Sequence, residues 1–233
     1  MHKLDLYRYR AFGTKEERKW VREIVLDNNL YFSSPSRFND PFDCRTHLTT
    51  GEGPEEDKKA NDALREVVNA IGVCCFSARN DDIVSWAHYG GGHSGVCLLF
   101  TLQVEEKVDL NATKRTTIRM PKTNGISNIS YAIEMPNTKI SVNPKENNEV
   151  ANNVLFTKAI SWESEKEWRW IKNAHGHLRV DPRLLTRIYV GCNMKDEDIE
   201  LIDGWVRERD HGVELFRAVK KEKEYGLDFE RIS

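Results

Sequence analysis

Stretches in which apolar and polar residues alternate are followed along the chain by stretches with helical spacing. Residues 4–10 alternate as a strand does, and the next helix is predicted to begin at Thr14, because Glu17 three residues later completes a capping-box pattern. Asn28 and Asn29 are expected to end this helix. Further strands are predicted at residues 30–33, 73–78, 95–100, 129–135, 165–172, 186–191 and 213–219, further helices at 57–70, 83–89, 150–159 and 196–209, and long loops at 34–43 and 136–148.

This order of elements predicts the fold class. Many strands with few regularly placed crossover helices favour an α+β fold, with a largely antiparallel or split β-sheet flanked by helices. A chain of 233 residues is long enough to bury a sizeable core as a single domain, and we expect one domain over residues 1–233. The strand–helix–strand unit at residues 186–219 is expected to pack on the rest of that domain.

Charge and hydropathy narrow the choice of partners. The formal net charge of −2 gives the whole molecule no broad attraction to nucleic acid or to anionic membranes, so any recognition of anions must be local. No apolar run approaches the roughly 20 residues of a membrane helix, and the first residues lack an apolar signal core. We therefore expect a cytoplasmic protein without a membrane partner.

The five cysteines form neither a disulfide framework nor a zinc motif. Their number is odd, no two of them form a C-x-x-C pair, and three lie in apolar, strand-like runs. Buried free cysteine behaves mostly as a small apolar residue. The pattern therefore predicts reduced thiols in the core.

Four segments, at residues 7–10, 30–43, 75–95 and 158–170, combine uncommon residues in ways that secondary structure does not require. They carry a Tyr-Arg start, a Phe-Asn-Asp-Pro-Phe loop, a Trp-x-His-Tyr…His-x-Gly block and a Lys…Trp…Glu-x-Glu-Trp-Arg block. This ordered set resembles an uncharacterised, mostly bacterial family, domain of unknown function 2971. The resemblance spans roughly residues 5–172, which would be the family-like core, and it implies no particular reaction.

The histidines of the third block suggest a metal site or a ligand site. His88 and His93 could bind zinc, but a zinc site needs three or four ligands and no third His or Cys lies at a convincing spacing. No metal is therefore expected, although a metal-dependent hydrolase that uses both histidines and a carboxylate stays open as an alternative.

The glycines of the same block allow two other interpretations. His88 and Tyr89 could bind a planar ring or a phosphate while the amides of Gly91 and Gly92 approach it closely. The glycines lead from a helix into a strand, so they do not form the strand-to-helix fingerprint of dinucleotide-binding proteins. The block could equally be a helix end built around a structural Trp86.

The Glu-x-Glu-Trp-Arg segment supplies the candidate catalytic carboxylate. Along a strand, Glu165, Glu167 and Arg169 share one face. Such a charged face is often simply solvated. Tryptophans surround this segment, however, and apolar rings beside a carboxylate can shift its pKa to a value that suits acid–base catalysis. Glu167 is the first candidate, and Arg169 would orient it or hold an anionic group of the substrate.

The first strand and the loop that follows the second strand complete the set. Tyr7 and Tyr9 face one side of the first strand, and Arg8 and Arg10 face the other. In residues 38–43 the Asn-Asp-Pro turn and its two flanking phenylalanines are expected to anchor the loop.

The order of these residues is similar to that of ADP-ribosyltransferases, small α+β enzymes that bind NAD with an Arg or His, a Ser or Tyr, and a late Glu. The likeness implies an ADP-ribosyltransferase-like fold and an NAD-dependent ADP-ribosyl transferring or NAD-hydrolysing enzyme, of the kind found among toxins and phage-defence effectors. The catalytic residues that it implies are Arg10, Ser33 and Glu167, to which we add His88. The residues expected to bind NAD or a similar nucleotide are Tyr9, Arg10, Trp86, Tyr89, His93 and Arg169.

A binding module without catalysis is the alternative from another class. Trp86, His88 and Tyr89 could stack on bases, and the basic segment at residues 114–122 could contact phosphates of a nucleic acid or nucleotide. For the enzyme, the acceptor of the ADP-ribosyl group would be a nucleic acid or a protein. The oligomeric state is not predicted.

Overall fold

The computed structural model of the protein describes residues 2–104, 108–110, 115–118, 125–139 and 144–233. The helices in these ranges are α1 (Lys15–Asp27), α2 (Pro54–Ala70), α3 (Ile83–His88), α4 (Pro144–Leu155) and α5 (Asp196–Glu208). The strands are β1 (His2–Arg10), β2 (Asn29–Phe32), β3 (His47–Thr49), β4 (Gly72–Ser77), β5 (Val96–Val104), β6 (Val108–Leu110), β7 (Arg115–Ile118), β8 (Gly125–Asn128), β9 (Ser130–Ala132), β10 (Asn137–Lys139), β11 (Thr157–Ala159), β12 (Glu167–Lys172), β13 (Gly176–Arg179), β14 (Leu185–Val190), β15 (Glu214–Lys220) and β16 (Leu227–Arg231).

One large sheet organises the chain, with strands in the order β16-β15-β14-β5-β1-β4-β12-β8-β7-β6. The described neighbours in it are antiparallel, apart from β14 and β15, which run parallel and are joined through α5. Parallel neighbours need a crossover connection, and a helix commonly supplies it. The predicted α+β class, with a single domain and a largely antiparallel sheet flanked by helices, is confirmed.

The largest apolar cluster covers the side of the sheet that we call face A, which carries Leu6 of β1, Phe76 of β4 and Trp170 of β12. Val21 of α1 and Ile202 of α5 pack against it and are completely buried. Burying a side chain of this size contributes about 1.5–3 kcal/mol. Helices α1 and α5 are therefore held to face A by their apolar stripes, and Thr14 caps α1 with the predicted capping box.

The opposite side of the sheet, face B, carries two smaller apolar clusters with a polar region between them. In one cluster Trp86 of α3 packs with Tyr9 and Cys97. In the other Val154 of α4 packs with Ile171 of β12. The polar region between these clusters contains the candidate site.

Strand register decides which side chains share face B. Tyr7 pairs with Ser77 across β1 and β4, and Ser77 pairs with Glu167 across β4 and β12. Directly paired residues point to the same side of a sheet, so these three residues form a row on face B. Arg8 and Arg10 flank Tyr9 on β1, and Arg8 contacts Cys74 and Phe76 on face A.

Strands β1 and β4 diverge after a short contact and form a fork. Within the described residues they share one registered pair, Tyr7 with Ser77, whereas β1 pairs with β5 along its whole length. Beyond the fork, Ser33 at the end of β2 pairs with Val73 of β4 in place of β1. The sheet is therefore split between β1 and β4 beyond the Tyr7–Ser77 pair.

The boundaries predicted for the loop at residues 136–148 and for the helix at residues 150–159 are wrong. The expected loop at residues 136–148 contains β10 (Asn137–Lys139) and the first turn of α4, which begins at Pro144 and ends at Leu155. Proline suits the first turn of a helix, and the polar residues that follow it hide the helical period. The expected helix therefore starts earlier and ends earlier, and Thr157–Ala159 pairs with β9.

One further sequence prediction meets the described residues only in part. Of the basic segment at 114–122, residues 115–118 form β7, and the other residues lie outside the described ranges. Strands β3, β6, β8, β13 and β16, which are all short, were also not predicted from the sequence. Within the described ranges, no helix combines the length and apolarity needed to cross a bilayer.

We expect opposite effects from alanine at two glycines. A Cβ on Gly95, at the start of β5, would lie 2.1 Å from the carbonyl oxygen of Arg10, so Gly95→Ala should lower the free energy of unfolding by about 1–3 kcal/mol or more. Gly204 is exposed within α5, and a Cβ added there would meet open space. Gly204→Ala should therefore raise the free energy of unfolding by roughly 0.5–1 kcal/mol. Urea unfolding measures both, and equal effects would contradict the packing described at Gly95.

Candidate functional site

Five charged side chains, which we call the buried ion network, lie together on face B. They are Asp43, Lys158, Glu165, Glu167 and Arg169, and each is less than one-tenth exposed. They come from the loop after β2, from β11, from the 3-10 turn that precedes β12 and from β12 itself. Segments more than 120 residues apart in sequence therefore meet at this point, for example Asp43 and Arg169.

Arg169 is the centre of the buried ion network. Its side chain is completely buried, with Nε 2.7 Å from Glu167 Oε1 and Nη2 2.6 Å from Asp43 Oδ2. Nη1 donates to the carbonyl oxygen of Leu155 at 2.7 Å, and the ring of Phe38 lies 5.3 Å from the guanidinium carbon. Planar donors that engage two carboxylates and a carbonyl at once fix the positions of all three groups.

Lys158 forms the second positive centre. Its Nζ lies 2.5 Å from Glu165 Oε2 and 3.0 Å from Glu167 Oε2, and it stands 4.9 Å from the ring centroid of Trp162. Charges that lose their contact with water are stabilised only when such partners replace it. Glu167 therefore bridges the two cations, whereas Glu165 pairs with Lys158 and not with Arg169 among the described contacts.

A local departure from strand geometry allows both glutamates to join the network. Lys166 between them adopts a left-handed conformation (φ 45°) at the end of the 3-10 turn Ile160–Glu165, and its side chain is exposed. Ser77 Oγ donates to the carbonyl oxygen of Glu165 at 2.6 Å, and the amide of Glu167 donates to the Tyr131 hydroxyl at 2.7 Å. The backbone around the two carboxylates is therefore fixed from both sides.

The two glutamates differ in their tendency to hold a proton. Burial by itself would raise the pKa of Glu167, but the charges of Arg169 and Lys158 outweigh it and lower that pKa to about 2. For Glu165 burial dominates over the opposing charge of Lys158, and its pKa is raised. Glu167 is therefore ionised at neutral pH, while Glu165 changes its charge at a higher pH than Glu167.

Three aromatic side chains next to Glu165 form what we call the rim: His88, Tyr89 and Trp162. Tyr89 donates its hydroxyl hydrogen to Glu165 Oε1 at 2.7 Å and accepts a longer hydrogen bond, 3.4 Å, from Asn39. The ring of exposed His88 lies 6.0 Å from that of Trp162, which is itself partly exposed. Tyr89 is also partly exposed, so it connects Glu165 to the protein surface.

Several residues predicted from the sequence meet at this site. Glu167 and Arg169 form an ion pair within the network, and Tyr89 contacts the network through Glu165. His88 lies at the rim beside Trp162. The loop at residues 38–43, predicted only as an anchored turn, contributes Asp43 directly, and Asp40 stabilises its turn by accepting from the amide of Phe42.

Other predicted residues lie elsewhere. Arg10 belongs to the face A side of β1, across the sheet from Glu167, because the strand register places Tyr7 and not an arginine in the row of Glu167. Ser33 pairs through its backbone with Val73. The sequence-based grouping of Arg10, Ser33 and Glu167 in one site is therefore not what the structure brings together.

The predicted aromatic binders of the first strand and of α3 lie in the core. Trp86 is completely buried and Tyr9 is 8% exposed, and their rings pack edge to face at 5.3 Å. The ring of His93 stacks on that of Trp86, with 6.3 Å between the ring centroids, and His93 has a left-handed backbone. Trp86 therefore has the structural role that the sequence left open, since neither of its faces is exposed to a ligand.

Sequence reasoning missed Asp43 and Lys158 as members of the site and left Glu165 without a role. The sequence did offer one signal, a charged residue between apolar neighbours: Asp43 stands between Phe42 and Cys44, and Lys158 precedes Ala159 and Ile160. Within the described residues, no group of three or more His, Cys, Asp and Glu is arranged to hold a metal ion.

All five cysteines are free, and Cys44 and Cys75 border the network. Burial raises the pKa of Cys44 to about 12, in spite of the nearby Arg169 guanidinium. Burial also raises the pKa of Cys75 well above its ordinary value, and Glu167 adds to that effect. Neutral thiols are weak nucleophiles, so both act here as packing and weak hydrogen-bonding groups.

Comparison with known proteins bears on this same region. Residues 85–170 match a family model described as "Protein of unknown function (DUF2971)". The match supports the family resemblance. It covers the rim at Tyr89 and four of the five members of the ion network, with Asp43 outside it. No curated protein and no solved structure matches the chain.

We expect Arg169→Met to destabilise the fold strongly. The change leaves Asp43 and Glu167 buried without their main cation, which should cost about 3–5 kcal/mol of unfolding free energy. Arg183→Met is the matched control, because the Arg183–Asp181 pair is exposed and such pairs contribute less than about 1 kcal/mol. Urea unfolding compares the two variants. Equal losses would mean that the network does not hold the three segments together.

Proposed function

We propose that the protein is an enzyme that cleaves the nicotinamide–ribose bond of NAD and transfers the ADP-ribosyl group to an acceptor or to water. The observation that carries this proposal is the charge balance of the buried ion network. Three carboxylates, Asp43, Glu165 and Glu167, stand against two cations, Lys158 and Arg169, which leaves one net negative charge when all are ionised. A site with an excess negative charge favours a transition state that develops positive charge.

The chemistry suits this excess charge. Cleavage breaks the bond between C1′ of the ribose and the ring nitrogen of nicotinamide, and the electron pair goes to the ring, which leaves as neutral nicotinamide. Positive charge then builds on the sugar, as in other glycosidic cleavages. A water molecule or an acceptor group forms the new bond to C1′ and loses a proton, which a nearby carboxylate accepts.

Glu165 is the carboxylate that we assign to this role. It shares a hydrogen bond with Tyr89, which reaches the surface, whereas Glu167 is enclosed by Arg169 and Lys158. Glu167, the first candidate from the sequence, becomes a positioning residue that holds both cations. A buried carboxyl with a raised pKa and a hydrogen bond to a partly exposed tyrosine can take part in proton transfer, and a carboxylate held between two cations is less able to do so.

The rim supplies contacts for the nucleotide. The exposed ring of His88 and the partly exposed ring of Trp162 offer faces or edges for the nicotinamide or adenine ring, and Tyr89 offers a hydroxyl. The likeness to ADP-ribosyltransferases adds support only through the late glutamate, because Arg10 and Ser33 lie outside this site. We extend the proposal to a toxin or phage-defence effector with a nucleic-acid or protein acceptor.

We expect purified protein to release nicotinamide from NAD, measured by chromatography in the presence of nucleic-acid, protein or water acceptors. Glu165→Gln keeps the shape of the side chain but removes its charge, so the rate should fall roughly 100-fold or more. Tyr89→Phe removes one hydrogen bond to that carboxylate and should lower the rate about 10-fold.

The control for these variants is Glu163→Gln. Glu163 belongs to the same 3-10 turn, but its side chain is half-exposed and pairs with Lys166 at the surface, so the rate should change less than about twofold. Circular dichroism checks the fold of each variant. The proposal fails if wild-type protein releases no nicotinamide with any acceptor, or if Glu165→Gln is as active as wild type. NAD binding without release, unchanged in Glu165→Gln, would favour the binding-module alternative.

A further inference from the structure

Two arginines lie in the fork between β1 and β4, separate from the buried ion network. Arg8 and Arg10 stand two residues apart on β1, so both project to the face A side, where the strand diverges from β4. Arg8 is 7% exposed, and Arg10 is partly exposed. Two neighbouring guanidiniums therefore lie inside the protein, with an opening to solvent at Arg10.

The acceptors that Arg8 uses are neutral. Its Nη1 donates to the Cys75 carbonyl oxygen at 2.9 Å and contacts Cys74 Sγ at 2.6 Å, and Nη2 donates to the Tyr31 carbonyl oxygen at 3.3 Å. Its Nε is buried without a hydrogen-bond partner. The charge of Arg8 is thus solvated by the backbone and a thiol, with no carboxylate among the described residues that contact it.

Arg10 has still fewer partners. Its Nε is buried without an acceptor, and in the part of the chain that the structure describes its guanidinium forms neither a hydrogen bond nor an ion pair. Burial and the neighbouring charge of Arg8 lower the pKa of Arg10 to about 9, so it remains charged at neutral pH. A buried cation beside a like charge is costly unless an anion compensates it.

Arg169, another buried arginine of this protein, has a different environment. Arg169 is completely buried and is matched by Asp43 and Glu167 within 2.7 Å. The contrast indicates that the absence of carboxylates around Arg8 and Arg10 is a property of this particular place and not of buried arginines in this protein.

We propose that the fork between β1 and β4 is an anion-binding site, in which Arg8 and Arg10 hold a phosphate group. The Arg10 guanidinium provides planar, paired donors that match the oxygens of phosphate and has no hydrogen-bond partner among the described residues, while Arg8, whose Nη atoms are already engaged, adds a second positive charge. The phosphate comes either from free inorganic phosphate or from a nucleotide. This site lies across β4 from Glu167, so it stands independently of the proposed NAD cleavage.

The test measures thermal unfolding and calorimetric binding with inorganic phosphate and, separately, with ADP, at constant ionic strength set by chloride. At a phosphate concentration about ten times its Kd, the melting temperature of the wild-type protein should rise by roughly 3–6 °C. In Arg10→Met calorimetric binding should weaken roughly tenfold or more, so this rise should fall to about a third or less of the wild-type value. Tighter binding of ADP than of phosphate would identify a nucleotide as the source, and equal binding would identify free phosphate.

Two further variants separate binding from folding. Because Arg10 makes no described hydrogen bond, Arg10→Met without phosphate should melt at the wild-type temperature or above it, unlike a variant of a structural arginine. Arg22→Met is the matched control, since Arg22 is half-exposed on α1, and its phosphate response should equal that of wild type. Two results would overturn the proposal: no phosphate response in wild type, or the same response in Arg10→Met as in wild type.

Discussion

The burial of Arg169 among carboxylates is the interaction on which the rest of the site depends. A fully buried guanidinium is tolerated only where carboxylates and carbonyl oxygens replace water, and here Asp43, Glu167 and Leu155 do so. Because these acceptors come from different segments, satisfying one side chain fixes the loop after β2, the end of α4 and β12 relative to each other. The position of Lys158, and through it that of Glu165, follows from the same constraint.

The pattern of apolar residues predicts most elements and their order, but not the meeting of distant charges. The capping box at Thr14 and the alternation in β1 are local signals, and the structure confirms both. The side of the sheet on which Arg10 lies relative to Glu167 depends on the register of β1, β4 and β12, and no local signal sets that register. A shift of one residue would have exchanged Tyr7 for an arginine in the row of Glu167.

Burial could be predicted less well than secondary structure. The Glu-x-Glu-Trp-Arg segment suits either a solvated or a buried strand face, and only the packing of Phe38 and Leu155 over it decides for burial. The consequence for pH follows from the signs of the shifts. Glu167, whose pKa is lowered, stabilises the fold above pH 4.5, and this contribution is lost as the pH falls towards 2. The raised pKa of Glu165 has the opposite consequence. Protonated Glu165 stabilises the fold below pH 4.5, and this contribution is lost as the pH rises above 4.5.

The central claim is that the buried ion network holds one carboxylate more than it can neutralise, and that Glu165 carries the surplus. Carbon-13 NMR titration of the glutamate side-chain carboxyls tests it most directly, with the Glu165→Gln variant identifying the Glu165 signal. The account predicts that this signal titrates above 4.5 while a second buried glutamate stays ionised to a much lower pH. If the Glu165 signal titrates at or below 4.5, the cations of the network stabilise Glu165 as an anion as fully as water does, so Glu165 does not carry an uncompensated charge and the account is contradicted.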